Sequence, residues 1–244
     1  MAVNEDLAPD ALAVAMPHRP VRTYPALLST DADACAWARA GGPAGGVVVA
    51  NYQASARGRG GLPWTCRPGR DLCFSVLLRP PLEPDDEGWL YVAAALAVLD
   101  VLEGHAEVEW PDRISRDGNP VADVAGHAGL GRDGVDWAVV NMLVYDAQAP
   151  RGRLLARLVD AVERVQQPQA DALAHYRERC TTLGRQVVAH LIPTWPDGVQ
   201  IVGSAASVLE DGALVIQERT EGRRIAVRPQ HLARIEVALD TPGA

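Results

Sequence analysis

The sequence predicts an α+β fold: a mixed sheet with flanking helices over residues 1–183, followed by a small C-terminal β-barrel over residues 184–244. Three observations carry this expectation. The runs "GGVVVANYQ" and "LCFSVLLRPP" are almost uninterruptedly apolar and read as strands covered on both faces. The Ala-rich stretch "DEGWLYVAAALAVLDVLEG" reads as a buried helix that opens on acidic residues and stops at Gly104. From Gly184 onward the apolar spacing shortens to the period of strands, broken by turn signals.

The remaining elements follow in chain order. After a proline-marked leader, "STDADACAWARAGG" offers Ser29, Thr30 or Asp31 as an N-cap, a helix with Trp37 on one face, and a glycine stop. The loop "ASARGRGGLPW" separates the two apolar strands. Beyond the Ala-rich helix, "EVEWPDRISRDGNPVADVAGH" (107–127) reads as a strand, a turn at "SRDGNP" and a returning strand; "DGVDWAVVNMLVY" follows as another strand. Residues 150–183 carry helical apolar spacing with a break at Pro168. "RQVVAHLI", "VQIVGSAASVLE", "ALVIQER" and "RRIAVRP" are then short strands separated by "PDG", "EDG" and "TEG" turns.

Composition narrows the function. With 244 residues, 48% of them hydrophobic, the chain has material for one large domain and one small one. A net charge of −8 argues against non-specific binding to a nucleic-acid backbone. All 23 basic residues are arginine, so no ammonium side chain is available for catalysis. Cys35, Cys66, Cys73 and Cys180 form no C-x-x-C pair and read as buried reduced thiols. The acidic N-terminus lacks the basic region of a secretory signal, and no apolar run is long enough to span a bilayer. The expectation is a soluble, cytoplasmic protein that engages neither membrane nor nucleic acid, its oligomeric state left open.

Chemistry concentrates in "NYQASARGRGGLPW". Alternating arginine and glycine after a buried strand presents guanidinium forks beside approachable backbone N–H groups, a combination suited to phosphate or carboxylate. The loop has neither the spacing nor the lysine of a P-loop. A solvated turn is the bland alternative. Linear spacing announces no zinc site, so no metal ligand is expected from the protein.

In the order of these motifs, and in the C-terminal pattern "TLGRQV…GSAASVLEDGALVI…VRPQHLARI", residues 20–237 resemble the biotin–protein ligases of the type lacking an N-terminal DNA-binding domain. The resemblance implies the biotin/lipoyl-ligase fold and an ATP- and Mg2+-dependent reaction. In that reaction a small carboxylic acid becomes an acyl adenylate and passes to an amine acceptor, in the family a lysine of a carrier protein. Ser29, Thr30 and Gln53 match the residues that hold biotin, with Asp31 where the family has Asn. Arg57, Gly58, Arg59 and Gly61 match the family's Gly-Arg-Gly-Arg-x-Gly-Arg loop, with Ala56 replacing its first glycine and Leu62 its last arginine; Trp64 is kept. The expected roles are catalytic for Arg57 and Arg59, and nucleotide-binding for Arg59, Gly61 and Asn141. Substrate contacts are expected from Ser29, Thr30, Gln53, Gly58, Trp64, Trp110, Asp112, Arg113, Asp123 and Trp137.

The reacting centre departs from the family's pattern. The two lysines of the family's hairpin are Glu109 and Pro120, its Asn-Asp pair is Asp112-Arg113, and a glycine is Asp123. The glycines that admit the ligand are Trp137 and Val139, with Asn141 kept. Loss of one preorganised charge-stabilising donor costs about 10²–10³ in rate, so biotinylation at an ordinary rate is not expected. Three readings follow: a ligase re-tooled for another small carboxylic acid, a non-catalytic relative that binds a ligand or carrier protein, and a weak biotin ligase. Structural roles stand beside these: Trp137 as core, His127 as a partly exposed strand histidine, Glu109–Arg113 as a surface ion pair, and Cys66 and Cys73 as packed thiols.

Overall fold

The computed structural model describes residues 5–132, 134–148, 150–192, 198–219 and 222–237. The turn signals at Pro196-Asp197 and Thr220-Glu221 lie outside these residues.

Within the expected leader the chain forms helix α1 (Pro9–Ala15) and strand β1 (Val21–Tyr24). Helix α2 (Thr30–Arg39) begins at Ser29, whose Oγ accepts from the Ala32 backbone N–H at 3.5 Å, and Asp31 and Asp33 sit in its first turn. Strands β2 (Gly46–Ala50) and β3 (Leu72–Leu78) are buried along their whole length. They are followed by helix α3 (Trp89–Val101), then β4 (Glu107–Glu109), β5 (Arg113–Arg116), β6 (Asn119–Leu130) and β7 (Val135–Val144). These seven strands form one sheet ordered β1-β2-β3-β7-β6-β5-β4. Only β1 and β2 pair in parallel; the other pairs are antiparallel.

The two-sided burial has a direct cause. Val47, Val49, Phe74, Val76, Val140 and Met142 face the main core. There they meet α3 and helix α4 (Arg151–Arg164). The alternate residues Val48, Leu77 and Val139 face α2 through a second apolar cluster. Helices on both faces leave no wet side, so the strands carry no polar alternation. Trp89 donates its indole N–H to the Val165 carbonyl at 2.7 Å. A side chain at Gly126 on β6 would lie 2.8 Å from the Leu90 Cβ, so glycine permits the close helix–sheet approach there.

The stretch 107–127 is a meander rather than a single hairpin. The chain reverses at the cis Trp110–Pro111 bond, so β4 pairs back on β5, Glu109 opposite Arg113. The expected "SRDGNP" turn lies between β5 and β6, with Asp117 at φ 50° and Gly118 at φ 73°, the left-handed pair of a type I′ turn. The break expected at Pro168 separates α4 from α5 (Ala170–Arg179).

Strands β8 (Gln186–Leu191), β9 (Gln200–Val208), β10 (Leu214–Glu218), β11 (Arg224–Val227) and β12 (Leu232–Val237) build the C-terminal antiparallel sheet, ordered β11-β10-β9-β8-β12. It packs closely on the first unit. Trp110 donates its indole N–H to the Gly212 carbonyl at 3.0 Å, and Arg177 donates to the Val208 carbonyl at 2.8 Å. A Cβ at Gly88 would meet the Asp211 carbonyl at 2.3 Å, which fixes glycine at that junction. No described helix is long and apolar enough to cross a membrane.

The N-terminal segment is tied down by one ion pair. Arg151, its side chain 2% exposed, donates through Nε and Nη2 to both carboxylate oxygens of Asp6, at 3.0 and 2.8 Å. The Arg151 guanidinium also reaches the Asp71 carbonyl and Asn51. Hydrogen bonding from Arg151 holds the Asp6 carboxyl below the ordinary aspartate range. A depressed carboxyl contributes its stabilisation fully above the unfolded value and loses it as pH falls through the folded one. Stability from this pair is therefore expected in full above about pH 5 and to decline below about pH 4. Asp6→Asn should cost about 2–3 kcal/mol at neutral pH and flatten the acid limb of the urea-midpoint profile; an unchanged acid limb would assign the loss elsewhere.

Candidate active site

The Arg/Gly loop folds back on itself, with Gly58 N–H donating to the Leu62 carbonyl at 2.7 Å and Trp64 N–H to the Ala56 carbonyl at 2.9 Å. Gly60 at φ 59° and Gly61 at φ 76° supply the left-handed turn, and a Cβ at Gly58 would collide with the Trp64 indole at 2.3 Å. The two arginines end in different environments. Arg57 is exposed and caps the turn by donating to the Gly61 carbonyl at 2.9 Å. Arg59 is 6% exposed and donates through Nε to Asp112 Oδ2 at 2.8 Å and through Nη1 to the Leu232 and Ala233 carbonyls.

Two cavities flank Arg59. The larger, about 640 Å³, lies between the Arg/Gly loop, the meander and β12, and its walls include Trp64, Trp110, Asp112, Arg113, Asp123 and Tyr145. Its carboxylates are paired. Arg113 Nε donates to Asp123 Oδ1 at 3.0 Å, and the Tyr145 hydroxyl donates to Asp123 Oδ2. Burial holds the Asp112 carboxyl above the ordinary range, and the Arg59 guanidinium only partly offsets that rise. Burial, then the Asp123 hydrogen bond, also pushes the Tyr145 hydroxyl up, so it stays a donor at neutral pH. The expected Glu109–Arg113 ion pair is not formed: Arg113 turns to Asp123, and Glu109 accepts from the Ser115 hydroxyl. Strand register offers Arg113 both carboxylates, Glu109 on β4 and Asp123 on β6, and the guanidinium bonds the latter. Pro120 is exposed and lines neither cavity.

The smaller cavity, about 380 Å³, lies beneath the other side of the loop, against Arg57, Gly58, Gly61, Asp31 and His127. The remaining expected residues face neither space. Ser29, Thr30, Gln53 and Asn141 are buried, and the last three form a closed network with Ser75. Gln53 Oε1 accepts from the Thr30 N–H at 2.8 Å and hydroxyl at 3.2 Å, while Gln53 Nε2 donates to the Cys73 carbonyl at 3.2 Å. Ser75 Oγ lies 2.9 Å from Thr30 Oγ1 and donates to Asn141 Oδ1 at 2.6 Å. Asn141 Nδ2 completes the chain by donating to Asp31 Oδ1 at 2.8 Å.

Trp137 is 8% exposed and packs with Cys35, Ala38, Leu77 and Val139 against α2. Directly opposite it on β6 is Gly129, where a Cβ would lie 2.1 Å from the indole. The indole thus occupies space that a glycine at 137 would leave open. The structural reading of Trp137 as core and the substrate-side reading meet at this residue: it is core, placed where a ligand-admitting glycine is expected.

Sequence reasoning missed one constellation. Asp31 and Cys35, one helical turn apart on α2, meet His127 from β6. Cys35 Sγ is 2.8 Å and Asp31 Oδ1 is 3.4 Å from the same His127 Nε2. Burial, then the Asp31 charge, pushes the Cys35 thiol up to about 12. The i, i+4 spacing of Asp31 and Cys35 was a legible half of this signal; His127, 92 residues from Cys35, was not.

No protein-family profile matches the chain. A biotin–[acetyl-CoA-carboxylase] ligase of Mycobacterium tuberculosis is 30% identical over 228 residues, covering 82% of this chain and 83% of the relative. The structure of the biotin protein ligase from Aquifex aeolicus in complex with biotin and ATP superposes with a TM-score of 0.65 at 17% identity, covering 90% of this chain and 99% of that one. A biotin protein ligase-like protein of unknown function from Silicibacter superposes with a TM-score of 0.64 at 15% identity, covering 88% and 96%.

Arg59 has a structural role. Truncation by Arg59→Ala strands Asp112 and the two β12 carbonyls. We expect a loss of about 2–4 kcal/mol in urea unfolding, with Arg57→Ala within about 0.5 kcal/mol of the parent.

Proposed function

The chain belongs to the biotin–protein ligase family, and from that premise we propose that it is an ATP-dependent ligase that activates a small carboxylic acid other than biotin and transfers it to an amine, on a carrier protein in the reading we favour. The observation that carries the reading is Trp137, buried with Val139 at the positions where the family's glycines admit the acid. An indole filling space that a glycine would leave open favours an acid less bulky than biotin's fused rings, and a hydrophobic site discriminates by such volume at about 1–3 kcal/mol per methylene.

In the proposed reaction a carboxylate oxygen attacks the α-phosphorus of ATP, the bond to the bridging oxygen breaks and pyrophosphate leaves. The acceptor amine then attacks the acyl carbon of the mixed anhydride, releasing AMP and a proton. The 640 Å³ cavity has the volume for the adenylate and aromatic walls in Trp64 and Trp110. Arg59 and Arg113 border it, and both are fork donors suited to phosphate oxygens. To meet a phosphate, Arg59 exchanges Asp112 for the ligand, which adds charge-assisted bonds in the reacting state. Arg57, exposed in the same loop, is the second proposed source of positive charge. Magnesium fits this arrangement best as an ion carried in by the triphosphate, since Asp112 and Asp123 are each already paired with arginine.

A binding-only relative is the second reading. Its support is that Arg59 is committed to Asp112 and the β12 backbone, while Pro120 offers no donor. ATP–pyrophosphate exchange over a panel of carboxylic acids, biotin and lipoate included, separates the readings. We expect exchange with an acid smaller than biotin, at least tenfold faster than with biotin itself. Fastest exchange with biotin would make the protein a biotin ligase, and silence across the panel from folded protein would make it a binder.

A further inference from the structure

The Asp31–Cys35–His127 cluster has no part in the proposed acyl transfer, and its geometry points elsewhere. We propose that these three side chains bind a divalent transition metal ion of the zinc class, with the open coordination position facing the cavity beneath the Arg/Gly loop. The site stands independently of which acid the protein activates.

Three ligand types converge from two elements. Residues i and i+4 of a helix share a face, so α2 presents the Asp31 carboxylate and the Cys35 sulfur side by side. His127 on β6 supplies an imidazole nitrogen to the same point. The three edges are 2.8 Å for Sγ–Nε2, 3.4 Å for Nε2–Oδ1 and 3.8 Å for Sγ–Oδ1. Tetrahedral zinc, with bonds of about 2.3 Å to sulfur and about 2.0–2.2 Å to nitrogen and oxygen, requires edges of about 3.4–3.6 Å. The 3.4 Å edge fits as it stands, the 3.8 Å edge closes by a few tenths of an ångström, and the 2.8 Å edge opens by less than about 1 Å to admit the ion.

The same distances argue against a nucleophilic Cys–His–Asp relay. In a relay the carboxylate holds Nδ1 while Nε2 faces the nucleophile. Here both the carboxylate and the thiol meet Nε2, so the groups converge on a point instead of lining up in a chain. A sulfur, nitrogen and oxygen set also selects against magnesium and calcium, which prefer oxygen alone.

The surroundings match what metal sites need. Asn141 donates to the ligating Asp31 oxygen at 2.8 Å and is itself held by Ser75, which orients the carboxylate. The edge of Trp137 packs on the His127 ring, centroids 6.2 Å apart at 83°, and restricts its rotation. Cys35 is buried, whereas the Asp31 and His127 side chains are 21% and 38% exposed and both line the cavity, which gives an ion its access. On binding, Cys35 enters as the thiolate and its proton passes to solvent, one per ion. Three protein ligands with one position open is the arrangement of zinc sites that accept water or a ligand.

The test is a cobalt(II) titration of the chelator-stripped full-length protein, followed optically and then displaced by zinc(II). The expected result is one equivalent bound, a thiolate-to-cobalt charge-transfer band in the near ultraviolet, and bleaching of that band by zinc. Cys35→Ser should abolish the band, and Asp31→Asn and His127→Gln should each weaken binding by at least the roughly tenfold that even an outer-shell change costs. Cys66→Ser should leave the band intact, and far-ultraviolet circular dichroism checks that each variant is folded. Absence of the band in folded parent protein overturns the proposal. So does a band that survives Cys35→Ser, or one that disappears with Cys66→Ser.

Discussion

One guanidinium closes the site. Arg59 leaves the Arg/Gly loop, pairs with Asp112 of the meander and reaches the Leu232 and Ala233 carbonyls of β12. Three segments far apart in the chain therefore meet on a single buried charge. A cation withdrawn from water is costly unless every donor finds an acceptor, so these segments must dock together for Arg59 to be buried at all. The 640 Å³ cavity exists because they do: loop, meander and C-terminal strand are its walls.

The mixed charges of the meander have their explanation in the same geometry. Asp112 answers Arg59, Arg113 answers Asp123, and Asp123 also accepts from Tyr145. The cavity wall is thus lined by two carboxylate–arginine pairs, Asp112 with Arg59 and Asp123 with Arg113. Such pairs order the wall. On the far side of Arg59 the pairing is of another kind. Thr30, Gln53 and Asn141 bond one another through Ser75, and Trp137 packs against α2, so these residues hold the sheet to α2.

The sequence exposed whatever depends on near neighbours. The buried strands β2 and β3, the Ala-rich α3, the Ser29 cap, the Asp117-Gly118 turn and the helix break at Pro168 each follow from periodicity or backbone preference within a few residues. Strand β1 escaped notice because four half-buried residues in a proline-marked segment carry no pattern of their own; its parallel pairing with β2 supplies its identity. The meander was half legible: its turn residues announced the second reversal, but the split of β4 from β5 required the chain to double back at Trp110–Pro111. Glu109 and Arg113 looked like partners, and they are opposite each other across β4 and β5, yet the Arg113 side chain bonds Asp123 on its other flank.

By itself, then, the sequence determined the α+β class and the family, because each is written in local spacing or in the order of its motifs. Only the tertiary structure decided what the site residues do. It buried Arg59 and left Arg57 exposed two residues away, and it closed Gln53 and Asn141 into a network. It also brought His127 onto Asp31 and Cys35 across a separation of more than ninety residues. The physical reason is common to all of these: the partner of a buried charge or a ligating atom is fixed by which elements pack together, and that packing is set by the whole apolar core, not by the few residues on either side.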